Sequence, residues 1–180
     1  MFELNFELDV QKIIVVILTA TLQSVFGVGL LLVGTPLLVL LGNDFLDVLM
    51  ILLPISLTVS LFQFLPNREL IDKSFVTKIL QFSSFGLVAG LILTIKYQPN
   101  IRILVGAALI VMASAPSIIK TKQNIFSNKI LDNFYFFVMG LVHGISNLGG
   151  SMLTARVNLE ALEKLQARAN ISFSYFLFVI

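Results

Sequence analysis

Cysteine is absent from the 180 residues. That excludes disulfides, thiolate metal sites and cysteine nucleophiles. Tryptophan is also absent, and histidine occurs once, as His143. A single imidazole with no nearby Cys, Asp or Glu gives no basis for a metal site, and no cofactor is expected. Charge is scarce: 12% of residues are Asp, Glu, Lys or Arg, against roughly 25% in a soluble domain. The net charge of +2 rests on scattered basic residues, which argues against nucleic acid as a partner. No GxxxxGK[ST] loop occurs, so this chain carries no phosphate cradle for ATP-driven pumping. The first residues include Glu3, Glu7 and Asp9 and lack the basic region of a secretory signal. The first apolar run is therefore expected to be retained.

Apolar residues fill the space that charge leaves. They make up 57% of the chain, and 16 of them are Phe. They fall in blocks of about 20, the length that crosses a hydrocarbon core of roughly 30 Å. The fold class this predicts is all-α, a polytopic transmembrane helical bundle, with residues 1–180 as a single transmembrane domain and the lipid bilayer as its solvent. Segments are predicted from Ile13 to Leu41, Val48 to Leu65, Phe75 to Ile95, Ile103 to Ile119 and Leu131 to Val157. A short amphipathic lead precedes them. In the second segment Pro54 predicts a kink, and Ser56, Thr58 and Ser60 either bond their own preceding turn or face a solute path. In the third, Gly86 and Gly90 form a GxxxG stripe suited to close helix packing. A loop helix is expected from Asn158 to Ala169, with Asn158 as its N-cap. An apolar stretch from Ile171 to Ile180 follows and is too short to span.

Two of the apolar blocks are faulted. Thr21 to Gly42 contains Gln23, Ser24, Gly27, Gly29, Gly34, Thr35 and Pro36. Glycine costs roughly 1 kcal/mol in a helix interior and proline roughly 3. A freed peptide group in hydrocarbon costs several kcal/mol more unless it faces protein or a wet cavity. Gly140 to Arg156 has the same pattern. At an offset of 120 positions Gln23 falls on His143, Gly27 on Asn147, Gly29 on Gly149 and Gly34 on Thr154. Interrupted segments at corresponding places in two halves point to a transport site. A first repeat is assigned to about 13–119. A second starts at about 131 and is incomplete.

The Lys and Arg positions bear on topology. If every block crosses once, the two sides hold seven and five of them. If both faulted blocks re-enter as hairpins, one side holds Arg68, Lys73, Lys78, Lys120, Lys122, Lys129, Arg156, Lys164 and Arg168, and the other only Lys12, Lys96 and Arg102. The second arrangement fits the positive-inside rule better. With three full spans between them, the hairpins would be inverted copies.

A break frees peptide N–H groups at the start of the next half-helix, and these attract anions. Gln23, Ser24, Gly27 and Gly29 in the first copy, and Ser146, Asn147, Gly149, Gly150 and Ser151 in the second, are the candidate binding residues for a small anionic solute. Their alternative role is to permit close helix crossing. His143 is the one ionisable group deep in a predicted segment and is the candidate proton relay. Its alternative is a neutral ring bonded to a neighbouring helix. Arg156 reads as an interfacial anchor. Ser146 with His143 would be the nucleophile and base of an intramembrane enzyme, the less favoured class.

The residues Gln23-Ser-Val-Phe-Gly-Val-Gly, then Thr35-Pro36-Leu-Leu and Leu41-Gly42, resemble the first conserved repeat of the TauE/SafE sulfite-exporter (TSUP) family of permeases. His143-Gly-Ile-Ser-Asn-Leu-Gly-Gly-Ser resembles the second. The chain departs from the family pattern in its thinned glycine run, Gly27-Val-Gly29, and in Arg156, where proline is expected. The resemblance implies a multi-pass protein of a bacterial or archaeal inner membrane. It also implies a secondary carrier for sulfite, organosulfonates or related small anions, and no enzymatic activity. A non-transporting membrane subunit or truncated family member is the alternative, and a homo-oligomer is left open.

Overall fold

The computed structural model describes residues 10–27, 29–97, 128–160 and 162–179, together with 100, 103, 104, 106, 107, 109, 110 and 126. Most of the predicted fourth segment and the amphipathic lead lie outside the described residues. Among the described residues there are helices and no strand. In chain order they are α1 (Val10–Phe26), α2 (Leu30–Leu40), α3 (Phe45–Leu70), α4 (Lys73–Tyr97), α5 (Lys129–Ser146), α6 (Gly150–Leu159) and α7 (Lys164–Val179). α3 and α4 are each long and apolar enough to cross a membrane. Two of the helix starts fall where short acidic side chains can cap freed amides. Asp44 accepts from the Leu46 N–H at 2.9 Å, and Asp72 accepts from the Ser74 N–H at 2.8 Å. Asn128 does the same for Ile130 at the head of α5.

Both faulted blocks fold back on themselves. α1 ends at Phe26 and α2 begins at Leu30, after Gly27 at φ 79° and Gly29 at φ 153°. Both glycines occupy backbone that L side chains rarely adopt. The return is antiparallel. Gly29 lies against Leu22 and the Gln23 N–H, and Gly34 lies against Thr19. α5 and α6 repeat the construction. α5 ends in Asn147, a left-handed cap at φ 60°, a position where Gly or Asn is usual. Gly149 then lies against Met139 and His143, the Tyr135 hydroxyl donates to the Met152 carbonyl at 2.7 Å, and Arg156 reaches Asp132.

Each hairpin leans on the helix that follows it. Gly34 and Gln23 of the first meet Leu52, Ser56 and Ser60 of α3. Gly150 and His143 of the second meet Tyr175 and Phe178 of α7. α4 joins the halves by running parallel to α5. Lys78 pairs with Asp132, Ser83 donates to the Phe136 carbonyl, and Gly90 abuts Gly144. The GxxxG stripe of α4 has a matching stripe on α5, Gly140 and Gly144. A methyl group on any of these four glycines would run into backbone of the other helix. This is the packing that small residues permit.

Polarity is inverted relative to a water-soluble protein. Thr19, Gln23, Thr35, Ser56, Ser60, Gln63, Asn170, Ser172 and Ser174 are buried. Ile14, Ile17 and Leu18 on α1, and Phe85, Val88, Ile92 and Ile95 on α4, are exposed. Contiguous apolar faces of this kind are rare on soluble monomers.

Two expectations are corrected. The helix from Asn158 to Ala169 is not a unit: Asn158 lies inside α6, and α7 starts at Lys164. α7 is therefore a 16-residue helix whose polar residues Asn170, Ser172 and Ser174 face protein. Arg156 is not an interfacial anchor. It is 7% exposed, its Nε donates to Asp132 at 3.0 Å, and an Nη pairs with Glu160 at 2.8 Å. Lys78 takes the other Asp132 oxygen at 2.6 Å. A buried carboxylate with two cationic partners holds the open end of the second hairpin to α4.

Outside the apolar blocks, burial pushes the Asp72 carboxyl up, but the hydrogen bonds from Ser74 and Phe75 and the charge of Lys78 outweigh it and hold the group below its ordinary value of 3.8. The cap therefore stabilises the α3–α4 turn fully above that value, and the contribution is lost as pH falls through the lower folded value.

Replacing Gly140 by Ala is expected to destabilise the protein by about 1–3 kcal/mol through overpacking against Ser83. Thermal unfolding in detergent would read this as a clear drop in midpoint. An unchanged midpoint would mean α4 and α5 do not touch there.

Candidate functional site

The two breaks lie side by side in depth. The Asn147 side chain at the tip of the second hairpin donates to the Thr35 hydroxyl at 3.1 Å. Thr35 stands on α2, past the first tip, so the tips overlap and do not meet end to end. α7 runs past both. Its Arg168 and Ile171 lie against Gly27, and Arg168 donates to the Ser24 carbonyl. Two turns on, its Tyr175 lies against Gly150 and its Phe178 stacks on His143 at 4.7 Å.

The first break is occupied by the protein's own polar groups. Gln23 is fully buried. Its side-chain amide donates to the hydroxyls of Ser60 at 3.1 Å and Ser56 at 3.3 Å. The Gln23 backbone carbonyl accepts from the Gln63 side chain at 2.6 Å, and the Gln63 side chain in turn accepts from Ser172 at 3.0 Å. A chain of amides and hydroxyls thus ties α1, α3 and α7 together. Buried networks of this kind are rigid when every member is satisfied. Ser24 stands on the exposed side of α1, and its hydroxyl donates to the Thr21 carbonyl at 2.8 Å. The structure brings Gln23, Gly27 and Gly29 together at the first tip and turns the Ser24 hydroxyl away from them.

The second break has no comparable side-chain network. The Ser146 hydroxyl donates back to Val142 at 2.8 Å, and the Ser151 hydroxyl to Leu148 at 3.2 Å. Both follow the local pattern of hydroxyls that bond their own backbone. Ser146 therefore forms no hydrogen bond with His143, and the nucleophile–base reading gains no geometry. Gly149 and Gly150 start α6, whose first turn has no side-chain cap. Helix starts leave backbone donors unpaired. Gly149 faces His143, and Gly150 faces Tyr175. Both side chains are buried, and neither the His143 Nδ1 nor the Tyr175 hydroxyl has a hydrogen-bond partner. Asn147, Gly149, Gly150 and His143 are thus brought together, with Ser146 and Ser151 at the margin.

An open groove of about 490 Å³ runs beside α2. Leu32, Val33, Pro36, Leu37, Leu40 and Leu109 line it, with Ser151 as its polar member. Its walls suit alkyl chains and not an anion. No group of three or more metal-ligating side chains is present among the described residues.

Tyr175, Arg168 and the Gln63–Ser172 link were not singled out in the sequence. Their signal was the run of polar residues at Arg168, Asn170, Ser172 and Ser174 before an apolar stretch. At about 100° per residue these four alternate between opposite faces of a helix, so protein packs on α7 from both sides.

The family model described as Sulfite exporter TauE/SafE matches residues 13–180. No curated protein and no solved structure matches the chain.

If Gln23 holds the fold and does not serve solute alone, Gln23→Leu will lower the solute-free unfolding midpoint by the equivalent of about 1–3 kcal/mol, since it strands the buried hydroxyls of Ser56 and Ser60. Ser24→Ala will leave it unchanged. Calorimetry of the two variants side by side tests this. A stable Gln23→Leu protein refutes the assignment.

Proposed function

The chain belongs to the sulfite exporter TauE/SafE family, and we propose from that premise that it is a secondary carrier moving a small anion across a bacterial or archaeal inner membrane. Members of this family are integral membrane transporters. Sulfite, an organosulfonate or a related sulfur-containing or organic anion is the solute class. One observation supports this reading most: two apolar hairpins, each broken at a glycine packed against the polar residue six positions earlier, Gln23 with Gly29 and His143 with Gly149. A carrier needs backbone donors held inside an apolar slab, and broken helices supply them. The candidate binding groups are Gln23, Ser24, Gly27 and Gly29 on one side and Ser146, Asn147, Gly149, Gly150 and Ser151 on the other.

In this reading the hairpins re-enter the membrane. α1 and α2 open toward one face, and α5 and α6 toward the other. The antiparallel arms and the parallel run of α4 with α5 support it, as does the nine-to-three division of Lys and Arg. The absence of native cysteine makes the test clean. Single cysteines at Gln11 and Leu41 are expected to react with an impermeant maleimide from one face, and those at Glu69 and Glu163 from the other. Reaction of Gln11→Cys and Leu41→Cys from opposite faces would mean that the first block crosses.

His143 is the proposed proton relay. Its ring is buried beside the uncapped start of α6, and proton exchange would be directly with the bound solute. Uptake of radiolabelled sulfite and taurine into proteoliposomes tests both the function and this residue. Saturable uptake by the wild type with an altered pH profile in His143→Ala is expected. The same profile in the variant removes His143 from the mechanism. No uptake of any anion favours the non-transporting alternative.

A further inference from the structure

Four buried side-chain polar atoms lack a partner among the described residues, and three of them belong to α7: Arg168 Nε, Asn170 Nδ2 and the Tyr175 hydroxyl. The fourth is His143 Nδ1, whose ring stacks on Phe178 of the same helix. Leaving a buried hydroxyl unpaired destabilises a fold. Native structures seldom leave such groups unmet without a functional reason.

Tyr175 is the most confined of the four. The residue is 1% exposed. Its hydroxyl lies so close to Gly150 that a methyl group there would overlap it. Gly150 is the first residue of α6, a ten-residue helix without a side-chain cap. The phenol therefore ends where the freed amides of α6 begin. A phenol donates one hydrogen and a helix start donates through its backbone. His143 flanks the next residue back, Gly149, at the same break. Donors accumulate there, and among the described residues no carboxylate bonds to Tyr175 or His143.

The geometry points to Tyr175 as a solute-contacting residue: its hydroxyl and the first-turn amides of α6 hold one oxygen of a small oxyanion at the second break. This rests on the carrier reading and adds to it. The two breaks then divide their labour. The polar groups of the first are engaged by Gln23 and its partners on α3, while the His143 Nδ1 and the Tyr175 hydroxyl at the second have no partner among the described residues. Glycine at 150 is required because the phenol needs to reach the helix start. Specificity follows: an anion must offer a compact oxygen to a site walled by Phe178 and the Gly149–Gly150 backbone.

The test is Tyr175→Phe, which removes the hydroxyl and keeps the ring. Sulfite binding to the purified full chain is measured by titration calorimetry, alongside thermal unfolding with and without sulfite. The expected result is about tenfold weaker sulfite binding, the loss of one hydrogen bond to a charged group. The solute-free unfolding midpoint should be unchanged or higher, because an unpaired buried group has been removed. Equal sulfite affinity in variant and wild type overturns the inference and leaves the carrier reading intact. So does a drop in midpoint of the same size with and without sulfite, which would make Tyr175 structural. A wild type that binds neither sulfite nor taurine overturns both.

Discussion

The structure depends on one constraint: a helix broken inside apolar surroundings exposes peptide groups that have no water to meet them. Both hairpins solve it the same way. The chain reverses within three residues, and a glycine six positions after a polar side chain closes onto that residue's backbone, Gly29 onto Gln23 and Gly149 onto His143. The turn is kept so tight that few peptide groups are left bare. Helix starts leave backbone donors unpaired, and α2 and α6 both start at these reversals without a side-chain cap. The rest of the bundle can be read as the casing for those two reversals.

The casing is not symmetric. In the first half, Gln23, Ser56, Ser60 and Gln63 saturate one another. In the second half, the corresponding helix presents Tyr175 and Phe178, and the His143 Nδ1 and Tyr175 hydroxyl have no hydrogen-bond partner among the described residues. The open ends differ as well. Asp132, Arg156, Lys78 and Glu160 clamp the arms of the second hairpin to α4. Truncating one member of such a buried set is costly because it strands the others. A clamped base with an unsatisfied tip suits a part whose tip engages something other than protein.

Much of this was legible in the residue order. The breaks fall at Gly27–Gly29 and Asn147–Gly149 because Gly and Asn are the residues that adopt φ above zero cheaply, so the chemistry of the turn is written locally. The antiparallel return was legible only through the Lys and Arg counts, since a broken block of apolar residues reads the same whether it crosses or folds back. The GxxxG stripe on α4 announced a packing face but not its partner, which is set by the parallel course of α5. α7 was misread. Hydropathy averaged over a window puts Arg168 in a loop helix and hides Ser172 and Ser174 inside an apolar stretch. On the helix these three and Asn170 face Gln63, the α3–α4 turn and the hairpin tips, and buried polar company is invisible to an average. Arg156 was misread for a related reason: a long basic side chain near a helix end usually reaches for water, and only the fold-back brings Asp132 within reach.

The fold-back also explains why distant residues pair in a regular way. In the second hairpin Asp132 meets Arg156, Tyr135 meets Met152 and Met139 meets Gly149, so facing residues have numbers that sum to about 288, as two antiparallel helices of equal rise require. That register is set at the tip by Asn147 and Gly149 and at the base by the Asp132–Arg156 pair. Between them the Tyr135 hydroxyl bonds the Met152 carbonyl, and Gly140 and Gly144 serve the contact with α4. Shifting either end by one residue would turn Gly149 away from His143 and Gly150 away from the Tyr175 phenol. The charged clamp at the base, more than 20 Å along α5 from the break, thus sets the position of the uncapped amides at the tip. The base and the tip therefore fix the hairpin together, with Asn147 bonded to Thr35 and His143 stacked on Phe178 at the far end from the charged clamp.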